Sequence, residues 1–297
     1  MQQKSINLTP AKNAGLSYSV LIILHIAISF LGGFVIGMVD IKEYSTTYYA
    51  ISMLFPLLSL LVVFLIFAKG SGEDIITSSG IKKCSPIYIL IAVFISVGMF
   101  LGFGFLNEKF AELLVDIGAV LPEHSVSEAI NSTGSFILFF FLVGILPAIF
   151  EEIFFRGLLT QGLKNTGRVF AVIMVALSFA LYHASAVQFV YQLIYGAVLT
   201  LLAVKSKSVI PSMVAHFINN GLILVLTYFF NMTETVSSPL LIALGMALVI
   251  ASVLFLCLYK KDKKPSLVKG ERKSFVIFAI AGLIVALVIA ITGVIPA

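Results

Sequence analysis

The sequence predicts an all-α fold, a polytopic bundle of about nine transmembrane helices. Three observations predict it. Of the 297 residues 60% are hydrophobic and 11% charged, with a mean hydropathy of +1.11, more apolar surface than a water-soluble core can hide. Most of the apolar residues are gathered into stretches of about 18 or more, the length that crosses ~30 Å of hydrocarbon at 1.5 Å per residue. Counted as nine crossings, these stretches place all but Lys42 and Lys109 of the 19 basic residues on one side, the asymmetry that marks cytoplasmic loops.

Tyr18 to Met38 follows a weakly basic leader with Lys4 and Lys12. It is too long for a signal-peptide core and has no A-x-A cleavage site, so it is read as a retained span. Tyr48 to Ala68 and Ile87 to Leu106 come next. The outer connection Asn107 to Ser135 carries Phe110, Leu113, Leu114 and Ile117 at helical spacing, which predicts an amphipathic interfacial helix before Pro122. Six further spans are expected at Phe136 to Gly157, Val169 to Ala184, Val187 to Val204, Val209 to Phe230, Leu240 to Tyr259 and Phe275 to Ile295. The charge-dense linker Lys260 to Ser274 reads as a solvated inner loop. Gly33 with Gly37, and Gly98 with Gly102, have the small-xxx-small spacing of helix contacts.

These spans group as N-terminal spans and outer loop (1–135), a core (136–230) and C-terminal spans (231–297), within one membrane domain. Cys84 and Cys257 are too few and too far apart for a disulfide framework or a metal motif. The net charge of +5 is accounted for by topology, so the expected partner is the lipid bilayer and no nucleic acid. An odd number of spans puts the N-terminus in the cytoplasm and the C-terminus outside. A reporter that fluoresces only in the cytoplasm is expected to be bright within Lys260 to Ser274 and dark after Ala297; the opposite pair of signals would remove the nine-span topology.

The chemistry is expected in the core. Phe150-Glu151-Glu152-Ile153-Phe154-Phe155-Arg156-Gly157 sets three charges within an apolar span, where each costs ~2.5–3.5 kcal/mol at the centre of a membrane. Such groups need partners or a water-filled cavity. Glu152 and Arg156, four residues apart, share a helix face, and Glu151 is turned from them by roughly 100°. One carboxylate is thus available for pairing and the other for chemistry. Phe179 and His183 share a face of the fifth span, as His216 and Asn220 do in the seventh. A buried glutamate beside an imidazole can activate water, and a histidine beside an asparagine amide can hold an oxyanion. His25, alone in the first span, is read as structural. With the fourth span ending at Gly157, Glu151 would lie near its inner end while His183 lies ~22 Å along its own; continuing the span to Gly162 removes much of that gap.

E-E-x-x-x-R, F-x-x-x-H and H-x-x-x-N, in this order on three hydrophobic segments, resemble the motifs of the CAAX protease and bacteriocin-processing family, also called the abortive-infection family, which includes the type II CAAX prenyl endopeptidases and many bacterial membrane proteins. The resemblance covers about residues 136–230. It implies an intramembrane endopeptidase of the bacterial cell membrane acting on a membrane-associated peptide or protein. By the same resemblance Glu151 is the base, assisted by His183, with His216 and Asn220 holding the oxyanion and Glu152, Arg156 and Phe179 in support. The two glutamates are not cleanly separated in role. A divalent metal such as zinc on Glu151, His183 and His216 and a metal-free glutamate mechanism both suit these residues; no organic cofactor is implied. A non-catalytic immunity or regulatory scaffold of the same family is the competing expectation, and a proton-coupled transporter, for which no internal repeat is visible, is third. No aspartate lies in any span, and neither H-E-x-x-H nor G-x-S-G occurs, which argues against two-aspartate, zincin and rhomboid-type proteases.

Overall fold

The computed structural model describes residues 9–70, 74–121, 126–231, 236–259 and 267–294; the leader with Lys4, Pro122 and the linker residues 260–266 lie outside them. All regular structure among the described residues is helical. Helix α1 (Pro10–Met38) starts at Thr9, whose hydroxyl accepts the Lys12 N–H, with proline at the first helical position, both ordinary start signals. It is followed by α2 (Thr46–Gly70), the short α3 (Ile75–Ser79), α4 (Pro86–Phe103) and α5 (Phe105–Asp116). Then come α6 (Thr133–Gly162), α7 (Arg168–Tyr182), α8 (Phe189–Ser206), α9 (Ile210–Phe230), α10 (Pro239–Leu258) and α11 (Glu271–Thr292).

Eight helices, with α4 and α5 taken as one, are long and apolar enough to cross a membrane, and α7 is a ninth, shorter apolar helix. This is the polytopic bundle of about nine spans that the hydropathy predicts. The amphipathic helix of the outer connection is present as α5, beginning at Phe105, with Leu113 and Ile117 exposed. The fourth span does run on to Gly162.

Two apolar cores lie side by side. One is built from α1, α2, α6, α7 and α11, with Tyr18, Phe154, Phe155, Phe179 and Phe275 at its centre; the other, from α4, α8, α9 and α10, contains Ile95, Met99, Tyr191, Tyr195 and Leu256. At their N-terminal ends the two terminal helices are tied to each other and to the core. Glu271 accepts the Ala11 N–H at 3.0 Å, and Arg272 Nε donates to the Thr166 carbonyl at 2.6 Å. Midway along, Ser19 Oγ donates to the Phe278 carbonyl and accepts from the Gly282 N–H. Both cysteines are free thiols.

The two glycine pairs behave differently. A Cβ on Gly98 would come to 2.8 Å of the Gly245 carbonyl, and one on Gly102 would run into the backbone of Gly245 and Met246, so α4 and α10 touch backbone to backbone there. Gly33 and Gly37 have nothing within 4 Å of such a Cβ. The expectation of a contact at that pair is corrected, because the Gly33/Gly37 face of α1 is turned away from α2, whose Phe55 packs on the neighbouring Gly32. Gly245→Leu is therefore expected to lower stability by about 1–3 kcal/mol or more, since the opposing backbone cannot move aside, whereas Gly33→Leu should stay within about 0.5 kcal/mol. Unfolding in detergent micelles measures both.

Candidate active site

The site lies where the two cores meet, and its shape begins with a proline in α6. This helix starts at a reciprocal Ser132–Ser135 cap. It then winds as a π-helix over Phe140–Ile145, as an α-helix over Leu146–Glu152, and as a π-helix again over Ile153–Leu159. Pro147 has no N–H to give to the carbonyl of Val143, four residues earlier. That carbonyl instead accepts the side-chain amide of Asn220 on α9 at 2.9 Å. In the second π segment Thr160 Oγ1 donates to the Phe155 carbonyl, five residues back, at 2.8 Å. π turns carry one extra residue and often mark functional positions.

Glu152 and Arg156 meet as their spacing predicts, with Arg156 Nη1 to Glu152 Oε1 at 2.7 Å and both side chains fully shielded. Arg156 Nη2 also donates to the Gly196 carbonyl at 3.3 Å. Its guanidinium lies 4.1 Å above the Phe179 ring, a cation–π contact strengthened by desolvation. Arg156 is thus a buried partner and not a charge snorkelling to the surface. Phe179 is the floor of the site, with its ring 4.7 Å from that of His183 and 6.0 Å from that of His216.

The histidines are held by their Nδ1 atoms. His183 follows the last residue of α7, and its Nδ1 lies 2.8 Å from the Phe179 carbonyl, which only accepts; His216 Nδ1 lies 2.9 Å from Glu152 Oε1. Both Nδ1 atoms are therefore the donors, which in the neutral rings leaves the Nε2 lone pairs pointing inward. Between them is Glu151 Oε2, 3.9 Å from His183 Nε2 and 4.0 Å from His216 Nε2, buried and without a hydrogen-bond partner in the protein. The two levels approach each other because Glu151 is 11 residues, ~17 Å, from the C-terminal end of α6, and His183 is ~22 Å from the start of α7.

Five of the six polar site positions expected from sequence are brought together, along with Phe179. Asn220 is the exception, committed to Val143. It belongs to a chain in which Tyr191 donates to Asn219 Oδ1 at 2.7 Å, and Asn219 Nδ2 approaches Asn220 Oδ1 at 3.4 Å. Sequence reasoning passed over Asn219, Tyr191 and Gly196; the Asn-Asn doublet one turn from His216 was the available signal for the first. It also set His25 apart, although the His25 and Tyr182 rings are 5.8 Å apart.

The three inward atoms suit a divalent cation chemically, as two neutral imidazole nitrogens and a carboxylate oxygen. Their spacing does not yet close on one. Bonds of about 2.0–2.2 Å in a tetrahedron put ligand atoms about 3.4 Å apart, and among the described residues no three His, Cys, Asp or Glu side chains are set closely enough to hold a metal. A cation on Glu151, His183 and His216 would need these atoms drawn about half an ångström closer together. A separation near 4 Å between hydrogen-bonding atoms is the distance a bridging water spans.

No curated protein and no solved structure matches the chain. A protein-family model does, described as type II CAAX prenyl endopeptidase Rce1-like, over residues 133–222. These residues include α6, α7, α8 and the first half of α9, which supply every carboxylate, imidazole and guanidinium of the site. Over this membrane-embedded segment the chain is similar to the type II CAAX prenyl endopeptidases of the CAAX protease and bacteriocin-processing family.

Proposed function

We propose that the protein is an intramembrane endopeptidase that cleaves a membrane-associated peptide with water activated by Glu151. One observation carries the assignment: the buried, unpartnered Oε2 of Glu151 lies about 4 Å from the Nε2 atoms of both His183 and His216, while Glu152, whose Oε2 is likewise unpartnered, is held through Oε1 by Arg156 and His216. A water held there donates one hydrogen to Glu151 and the other to His183. As its oxygen attacks the scissile carbonyl carbon, a proton passes to Glu151 and negative charge grows on the carbonyl oxygen. His216, oriented through Nδ1 by Glu152 and carrying a proton on Nε2 in this step, donates to that oxygen. Glu151 then returns the proton to the leaving nitrogen, the C–N bond breaks, and a carboxylic acid and an amine are released.

A divalent cation would be held by Glu151 Oε2 and the two Nε2 atoms, about half an ångström closer together than in this structure. Once bound, it would polarise the water and the scissile carbonyl. The cation requires neutral His216, whereas oxyanion donation requires the protonated ring. The family match favours substrates with a prenylated C-terminal CAAX sequence.

Purified protein in micelles would be given a farnesylated CAAX peptide and the same peptide without the lipid, and the products weighed by mass spectrometry. Cleavage of the farnesylated peptide alone is the expected result; no cleavage of either would overturn the proposal for this substrate class. A chelator that abolishes turnover reversibly, with zinc restoring it, assigns the cation, and unchanged turnover assigns the imidazolium. Asn220→Ala frees the Val143 carbonyl and removes an amide beside the site. Its turnover should fall ~10²–10³-fold if the second amide hydrogen reaches the oxyanion, and by less than tenfold if Asn220 only secures α6.

A further inference from the structure

His25 and Tyr182 lie against the site on the side of α1. The starts of α1 and α7 are level, because neighbouring residues Glu271 and Arg272 bind Ala11 and Thr166 respectively. His25 is 15 residues above Pro10 and His183 is 15 above Arg168, so both imidazoles stand ~22 Å up their helices. Between them is Tyr182, whose ring packs 5.8 Å from His25, 5.9 Å from His183 and 5.5 Å from Phe155. Phe155 is four residues after Glu151 on α6, which brings Tyr182 beside the carboxylate. Tyr182 is 5% exposed, and neither its hydroxyl nor His25 Nδ1 has a hydrogen-bond partner in the protein. Buried polar groups are nearly always partnered, and an orphaned one carries a desolvation cost that nothing in the fold offsets.

A peptide drawn into a dry, membrane-embedded site has the converse need. Its backbone carbonyls leave water and must find donors. We propose that Tyr182 is a substrate-binding residue whose hydroxyl donates a hydrogen bond to a backbone carbonyl of the bound peptide on the α1 side of Glu151, with His25 as the second polar group of the same subsite. The proposal rests on the endopeptidase reading. It makes α1, which lies outside the family-matched segment, part of the substrate path.

The test measures binding without turnover. A fluorescent farnesylated CAAX peptide is titrated against Glu151→Gln and against Glu151→Gln/Tyr182→Phe in micelles, and thermal midpoints are recorded for both. The double variant should bind about three- to tenfold more weakly, the worth of one neutral hydrogen bond. Its midpoint should be unchanged or higher, because phenylalanine removes a hydroxyl the fold does not use. Unchanged affinity overturns the proposal. A lower midpoint also overturns it, whatever the affinity, since the hydroxyl is then satisfied within the fold. If wild-type protein does not bind the peptide, the endopeptidase reading fails for this substrate class and takes the subsite with it; if Glu151→Gln still cleaves, only the assignment of the base falls and the subsite is still judged by the two affinities. An inactive Glu151→Gln with unaltered affinity on adding Tyr182→Phe removes the subsite alone.

Discussion

Glu151→Gln is expected to fold and insert normally and to lose peptide cleavage by ~10²–10⁴-fold, the range typical of a missing general base. The substitution keeps shape and volume and removes only the basic oxygen that has no partner in the fold, so stability should hardly change. Glu152→Gln should behave differently. That carboxylate accepts from Arg156 at 2.7 Å and from His216 at 2.9 Å, and its neutralisation loosens both partners before any chemistry begins. Matched rates and thermal midpoints of the two variants therefore separate base from scaffold. Wild-type cleavage by Glu151→Gln would move the base to Glu152; wild-type cleavage by both would end the glutamate-activated mechanism. A scaffold acting only by shape predicts that Glu151→Gln retains whatever protection or regulation the protein confers.

Arg156→Leu should be the most destabilising single change in the core. Glu152 is fully buried and Arg156 is 2% exposed; removing one partner of such a pair leaves an uncompensated charge and costs about 3–5 kcal/mol. Combining it with Glu152→Gln, which removes the stranded charge but keeps an acceptor for His216, should recover much of that loss. If the double variant is no more stable than Arg156→Leu, the arginine matters for packing and not for charge. Arg156→Lys preserves the charge but gives up the bond to the Gly196 carbonyl and the flat stack on Phe179. It should retain most of the stability and lose part of the activity, because lysine cannot reproduce the planar fork.

The parts of this molecule that were legible in the sequence follow from short-range regularities. Hydropathy windows locate the helices, and a four-residue spacing fixes Glu152 with Arg156 whether the segment is α- or π-wound. The ordered trio of motifs named the histidines. The rest depends on contacts far apart in the chain. Gly33-xxx-Gly37 and Gly98-xxx-Gly102 look alike locally, and only the opposing Gly245, some 140 residues later, makes the second pair a contact. Asn220 carries a motif position, yet its partner is chosen by Pro147, which strips Val143 of its helical hydrogen bond. His25 stands alone on its own helix and meets Tyr182 only because the C-terminal helix levels α1 with α7.

The shortness of α7 has a consequence for the surrounding lipid. Fifteen residues reach ~22 Å where the hydrocarbon is ~30 Å thick, so the chain leaves the helix at His183 while still well below the headgroups. Irregular backbone at that depth is tolerated only against protein or water, and Ala184 to Val187 are half-buried rather than sealed. The membrane therefore has to dimple over this corner of the bundle or let water down to it, which makes bilayer thickness a property of the site. In long-chain, sterol-stiffened lipid the dimple is harder to form; in thin lipid it comes at little cost, and the carboxylate of Glu151 lies correspondingly nearer to the water it consumes.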